Sequence, residues 1–190
     1  FNPRLGITGG ISIIGTSGIV RPFSSEAFVN SIRKEIQVAR ALGCSGIVIN
    51  SGAKSENYLR SRFPDLPAQA FIHYGNYIGD TLRLADEEGI THITMGIMIG
   101  KAVKLAEGHL DTHSRNVVMN RDFIIALADE SHCPPANIAR VAEITLAREL
   151  WELFADTPAF FTLLVDRCMA VCRPLLPHAT LEIMLVPEQA

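Results

Sequence analysis

Apolar residues in this chain recur at two different periods, and the alternation between them outlines the fold. From Phe28 through Ile32, Ile36, Ala39 and Leu42 they fall every three or four positions, with Arg33, Lys34, Gln37 and Arg40 between them. That spacing predicts an amphipathic helix, opened by Ser24 or Ser25 as cap and stopped by Gly43. Ile47-Val48-Ile49 is a β-branched run, read as a buried strand ending in the loop 50–55. The same alternation predicts strands at 70–73 and 92–98, with helices at about 77–88 and through Leu105. Upstream, Ile11, Ile13 and Ile14 read as an opening strand between glycines. Residues 62–67 carry two prolines and read as a surface connection.

Beyond Asn120 the pattern turns helical. Segments 121–131, 136–154 and 158–173 read as three helices separated by proline-containing breaks, and 181–186 reads as a last, edge-like strand. The expectation is an α/β fold: a doubly wound, mostly parallel sheet flanked by helices, Rossmann-like, with a helical C-terminal part. Residues 1–186 are expected to form one domain and 187–190 a tail.

Composition narrows the partners. A hydrophobic content of 48% over 190 residues suffices for a full core, and a mean hydropathy of +0.22 suits a sheet covered on both faces. A net charge of −3 argues against bulk attraction to nucleic acid or an anionic membrane. No apolar run reaches the roughly 18 residues of a bilayer span, and no signal peptide is visible, so the expected location is cytoplasmic. Cys168 and Cys172 lie one helical turn apart, but small buried helix residues explain them better than a metal site does. An opening at Phe1, almost directly in a strand, leads us to expect a fragment of a longer polypeptide.

Candidate chemistry gathers at the ends of the predicted strands. The run 6–20 is rich in glycine, and Gly10, Gly15, Thr16, Ser17 and Gly18 form a loop able to approach a ligand with bare backbone. It resembles a phosphate-binding loop only superficially, because Thr16 stands where that motif needs lysine, and the dinucleotide glycine spacing is absent. Asn76, Gly79 and Asp80 open the helix after the third strand. Asn76 and Asp80 there suit a ribose or amino group, or Asn76 simply caps the helix. Arg21, Lys54, Lys101 and Arg115 lie at strand ends or the loops after them, and Lys104 follows one turn later. A parallel sheet gathers such ends along one edge, so an acidic chain with cations there suits a polyanionic small molecule. His109 and His113 have metal-compatible spacing, but no third ligand is evident and no protein-bound metal is expected. A histidine that handles a proton or hydrogen-bonds a polar ligand fits this polar stretch better.

Taken in order, these segments resemble one family. Residues 2–7, 9–20 and Pro22 look like the signature of the CbiD-type cobalamin biosynthesis proteins. Asn76-Tyr77-Ile78-Gly79-Asp80, Gly100-Lys101 with Val103-Lys104, and Thr112-His113-Ser114-Arg115 resemble its later motifs. The likeness is specific to about Arg115 and looser to about Val186. It departs at 50–54, where the family more often shows a threonine-proline-glycine-asparagine type of loop. The resemblance implies C-methylation of cobalt-precorrin-5B at carbon 1, with S-adenosylmethionine as donor and the cobalt belonging to the tetrapyrrole substrate. It also implies a further N-terminal region of the same chain; a homo-oligomer is compatible with it. On this view Arg21, Lys101, Lys104 and Arg115 meet substrate carboxylates. The glycine loop and Asn76, Gly79 and Asp80 hold the donor, and His113 or Asp111 adjusts the proton state of the ring. Two other readings stay open: a binding-only module of a larger enzyme, and an unrelated nucleotide-dependent α/β enzyme.

Overall fold

The computed structural model describes Gly9 and residues 24–187. The expected opening strand, the glycine loop with Gly10, Gly15, Thr16, Ser17 and Gly18, and Arg21 lie outside the described residues.

Helix α1 (Ser25–Ala41) starts where expected: the Ser24 hydroxyl accepts from the Ala27 amide at 3.2 Å, and Glu26 sits in the first turn. Its inner face buries Ile32, Ile36 and Ala39. Leu42 instead caps the helix and is exposed. The run read as a strand is β1 (Gly46–Asn50). It is followed by α2 (Ala53–Arg62), β2 (Phe71–His73), α3 (Ile78–Glu87), β3 (His92–Met98) and α4 (Ile99–Ala106). Then come α5 (Arg121–Glu130), α6 (Pro135–Arg140), α7 (Leu150–Leu153), α8 (Pro158–Cys172) and β4 (Thr180–Val186).

The four described strands are all parallel, in the order β2-β1-β3-β4. Among the described strands β4 lies at the sheet edge, as its weak alternation suggests, paired with β3 from His92↔Thr180 to Met98↔Val186. Side chains alternate between faces along each strand. Ile47, Ile49, Ile72, Ile93, Met95, Ile97 and Ile183 face the main core, shared with α1, α3, α4 and α8. Val48 and Phe71 face the other way, where α2 covers them with Leu59. Helices on both faces of a parallel sheet confirm the α/β expectation.

Gly96 shows why the second face closes so tightly. A Cβ built there would overlap Leu59, with its Cγ at 2.9 Å, so only glycine lets α2 sit against β3. The Gly96 carbonyl also accepts from the buried Tyr74 hydroxyl at 3.1 Å, tying the chain after β2 to β3. Cys168 and Cys172 are likewise core residues: both are fully buried, and the Cys168 thiol donates to the Ala102 carbonyl at 3.2 Å. Burial pushes both thiols up, away from the reactive thiolate.

Two expectations need correction. Residues 53–62 form a helix, although the loop was expected to run through Ser55 and no apolar stripe marks the segment. The expected long helix over 136–154 is broken. It runs as α6, an irregular stretch, a 3-10 turn over Ala147–Glu149 and then the short α7. The cause is local: one oxygen of the Glu149 carboxylate accepts from the Thr145 amide (2.9 Å), the Thr145 hydroxyl (3.1 Å) and the Leu146 amide (2.6 Å). That satisfies donors a continuous helix would have bonded to its own carbonyls.

Candidate functional site

β1 sits between β2 and β3, and the chain leaves β1 toward one side and β3 toward the other. This is a topological switch point, where open α/β sheets receive ligands outside the carboxyl ends of their strands. There, at the end of β3, a cavity of about 670 Å³ opens. Met98, the last residue of β3, and Gly100, Lys101 and Lys104 of α4 line it. Asn76, from the turn after β2, and Thr112, His113 and Ser114 border it. Val117, Val118, Met119 and the turn 145–148 complete the lining.

Lys101 is the centre of this site. Its ammonium donates to the Gly75 carbonyl at 2.8 Å, to Asn76 Oδ1 and to Thr112 Oγ1 at 3.4 Å. All three acceptors are neutral. Burial, followed by repulsion from Lys104, lowers its pKa from 10.5 to about 8, against a smaller opposing pull from Asp111. Lys104 donates to the Thr112 carbonyl at 3.4 Å. Arg148 supplies a third cation, and among the described residues no aspartate or glutamate lines the cavity. The positive end of α4 faces the same space, so the electrostatics favour an anion.

The 145–148 turn seats directly on the start of α4, where a Cβ on Gly100 would lie 3.4 Å from the Ala147 Cβ. Hydrogen bonds from the Leu146 and then the Thr145 amide hold the Glu149 carboxyl below its ordinary range. A group shifted in that direction stabilises fully above its unfolded pKa and loses its contribution as pH falls through the folded one. Hydrogen exchange at Thr145 and Leu146, corrected for intrinsic rates, should therefore accelerate below the ordinary carboxylate range. Glu149→Gln should show the same acceleration already at neutral pH; unchanged protection would contradict the clamp.

Four of the candidates named from sequence meet in this cavity: Asn76, Lys101, Lys104 and His113. Asp111 stands just outside, with one carboxylate oxygen accepting from the His113 amide (3.0 Å) and the other from the Asn116 side chain (3.1 Å). It thereby shapes the loop that presents His113. The Arg115 amide donates to His113 Nδ1 at 3.1 Å, so the neutral ring carries its hydrogen on Nε2. The Arg115 side chain is exposed and does not line the cavity. Gly79 packs against Leu110, its amide donating to the Leu110 carbonyl at 3.2 Å. Asp80 is half exposed beside Arg83 at 3.7 Å. Neither joins Asn76 in the cavity. Arg148 was not anticipated, because in an uninterrupted helix it reads as an ordinary solvated charge.

Fold and site together define a parallel α/β protein with a cationic ligand cavity at the carboxyl end of a central strand. The CbiD family model matches residues 1–22, and the model of CbiD, C-terminal domain, matches residues 111–189. The chain belongs to the CbiD family. It is 41% identical, over 99% of its length, to a cobalt-precorrin-5B C(1)-methyltransferase of Prosthecochloris aestuarii, covering 52% of that protein. Relatives of the same name in a Geobacillus species and in Thermus thermophilus are 41% and 38% identical over 88% and 80% of this chain. These matches cover 46% and 42% of the two relatives. The chain spans about half the length of the curated relatives it matches. No solved structure matches it significantly.

Proposed function

We propose that this chain is part of a methyltransferase acting on carbon 1 of cobalt-precorrin-5B in cobalamin biosynthesis, the activity in the names of its relatives. One observation carries the reading at the level of residues: among the described residues, three cations and no carboxylate line a single cavity that also has an apolar surface. A corrin precursor needs that combination, since acetate and propionate groups ring a hydrophobic macrocycle. Lys104 binds a substrate carboxylate through a charge-assisted hydrogen bond, and Lys101, whose three N–H donors already meet Gly75, Asn76 and Thr112, attracts it as a point charge. Asn76 and Thr112 hold the Lys101 ammonium in place, and Met98, Val117 and Met119 shield the macrocycle from water. His113, with Nε2 as donor, is the residue best placed to hydrogen-bond the ring. The one-domain organisation expected for residues 1–186 is kept in this reading.

The methyl donor in this reading is S-adenosylmethionine. Among the described residues, the cavity offers no carboxylate to a ribose diol or to a sulfonium, so it fits the substrate and not the donor. The donor's seat is proposed to include the glycine loop at 10–18.

Incubating the full-length protein with cobalt-precorrin-5B and methyl-labelled S-adenosylmethionine tests the function. The expected product carries one labelled methyl group at carbon 1. Label at another carbon, or donor binding without transfer by the intact protein, would sink the proposal. The latter result would favour the binding-only module.

A further inference from the structure

The turn over 145–149 contributes a cation to the cavity from a different element than the two lysines do. Arg148 is exposed, on a 3-10 turn braced on one side by Glu149 and on the other by the contact of Ala147 with Gly100. Its neighbour Glu149 directs one carboxylate oxygen back onto Thr145 and Leu146 and is not part of the cavity lining. Arg148 therefore lines the site from a fixed stretch of backbone. Apolar surface flanks it: Val118 is 83% exposed and Leu146 48% exposed, and both line the cavity. Exposed aliphatic groups beside cations suit a ligand with a flat apolar body and several anionic arms.

We propose that Arg148 is a substrate-binding residue that takes one carboxylate while Lys101 and Lys104 take another, with Val118 and Leu146 against the apolar body between them. Glu149 is a positioning residue that acts through Arg148. The inference rests on the substrate reading above and adds to it a second point of anion recognition, from the C-terminal half of the chain. A guanidinium can hold a carboxylate with two parallel hydrogen bonds, so it fixes orientation where the lysines supply point charges.

The test is fluorescence titration of the full-length protein with uroporphyrin, a tetrapyrrole bearing a carboxylate on every side chain. Arg148→Gln should weaken binding about tenfold and flatten its salt dependence, since one charge-assisted contact is lost. Arg148→Lys should recover part of the loss, and Arg173→Gln, on the surface after α8, should change nothing. Glu149→Gln should weaken binding less than Arg148→Gln, because it loosens the turn but also removes a negative charge beside Arg148. If Lys101→Gln and Lys104→Gln weaken binding but Arg148→Gln behaves like Arg173→Gln, the Arg148 proposal falls and the substrate reading stands. If none of these variants affects binding, the cavity is not the tetrapyrrole site and both fall. A lowered melting temperature that accompanies the loss and is not recovered in Arg148→Lys assigns the residue a structural role and overturns the proposal.

Discussion

Affinity of the full-length protein for a polycarboxylate tetrapyrrole will fall as pH rises through about 8, the value to which burial and Lys104 push the Lys101 ammonium. An ordinary lysine would hold its charge to 10.5. A bound carboxylate favours the charged form, so near this pH the complex will take up protons from solution. Calorimetry in two buffers of different ionisation enthalpy reads that uptake directly. Stability moves in the opposite direction. A basic group whose folded pKa is depressed costs stability while the folded state must hold it charged. Between about 8 and 10.5 the unfolded chain binds more protons than the folded one. The contribution of Lys101 to stability therefore rises with pH over that window, while ligand affinity drops. In Lys101→Gln the affinity step near pH 8 should vanish, and affinity below it should be at least about tenfold weaker. A step that survives the substitution, or one lying near 10.5 in the parent protein, would remove Lys101 from the site.

Gly96→Ala is the second large effect. The added methyl would overlap Leu59, which is fully buried between Val48 and Phe71 and has nowhere to move. Overpacking of this kind costs about 1–3 kcal/mol, which for a domain of this size lowers the melting temperature by several degrees. Leu59→Ala alone should cost about 2–5 kcal/mol through the cavity it leaves. Because the two changes act on the same volume, the double variant should be more stable than the sum of the singles predicts. Additive losses would mean that α2 can shift away from β3, and that the close approach does not hold the second face together.

How far the sequence revealed this molecule depended on how loudly each segment signals. Ile47-Val48-Ile49 and the span 92–98 are legible because buried parallel strands concentrate β-branched and apolar residues. Helix α1 is legible from its cap and its three-and-four spacing. Helix α2 is not, because it buries Ser55, Glu56 and Leu59 and shows no apolar stripe. Over 136–154, Ile138, Val141 and Ile144 keep a three-residue spacing right up to the break that the Thr145–Glu149 clamp creates. Missing that break hid Arg148. Lys101 and Lys104 could be placed because a parallel sheet brings its strand ends to one edge. Asp80 and Gly79 show the limit of that logic: both open α3, yet they turn toward Arg83 and Leu110 and away from the cavity.

The long crossover from Met98 to Thr180 has a further consequence for the order in which the protein matures. It carries α4, the 112–119 segment and the 145–149 turn, and it closes only when β4 zips onto β3 along its whole length. Pairings between segments so far apart in sequence form slowly, whereas β1, β2 and α3 leave the ribosome earlier and can associate first. The ligand-recognition surface is therefore completed later than β1, β2 and α3, and β4 is the latch that completes it.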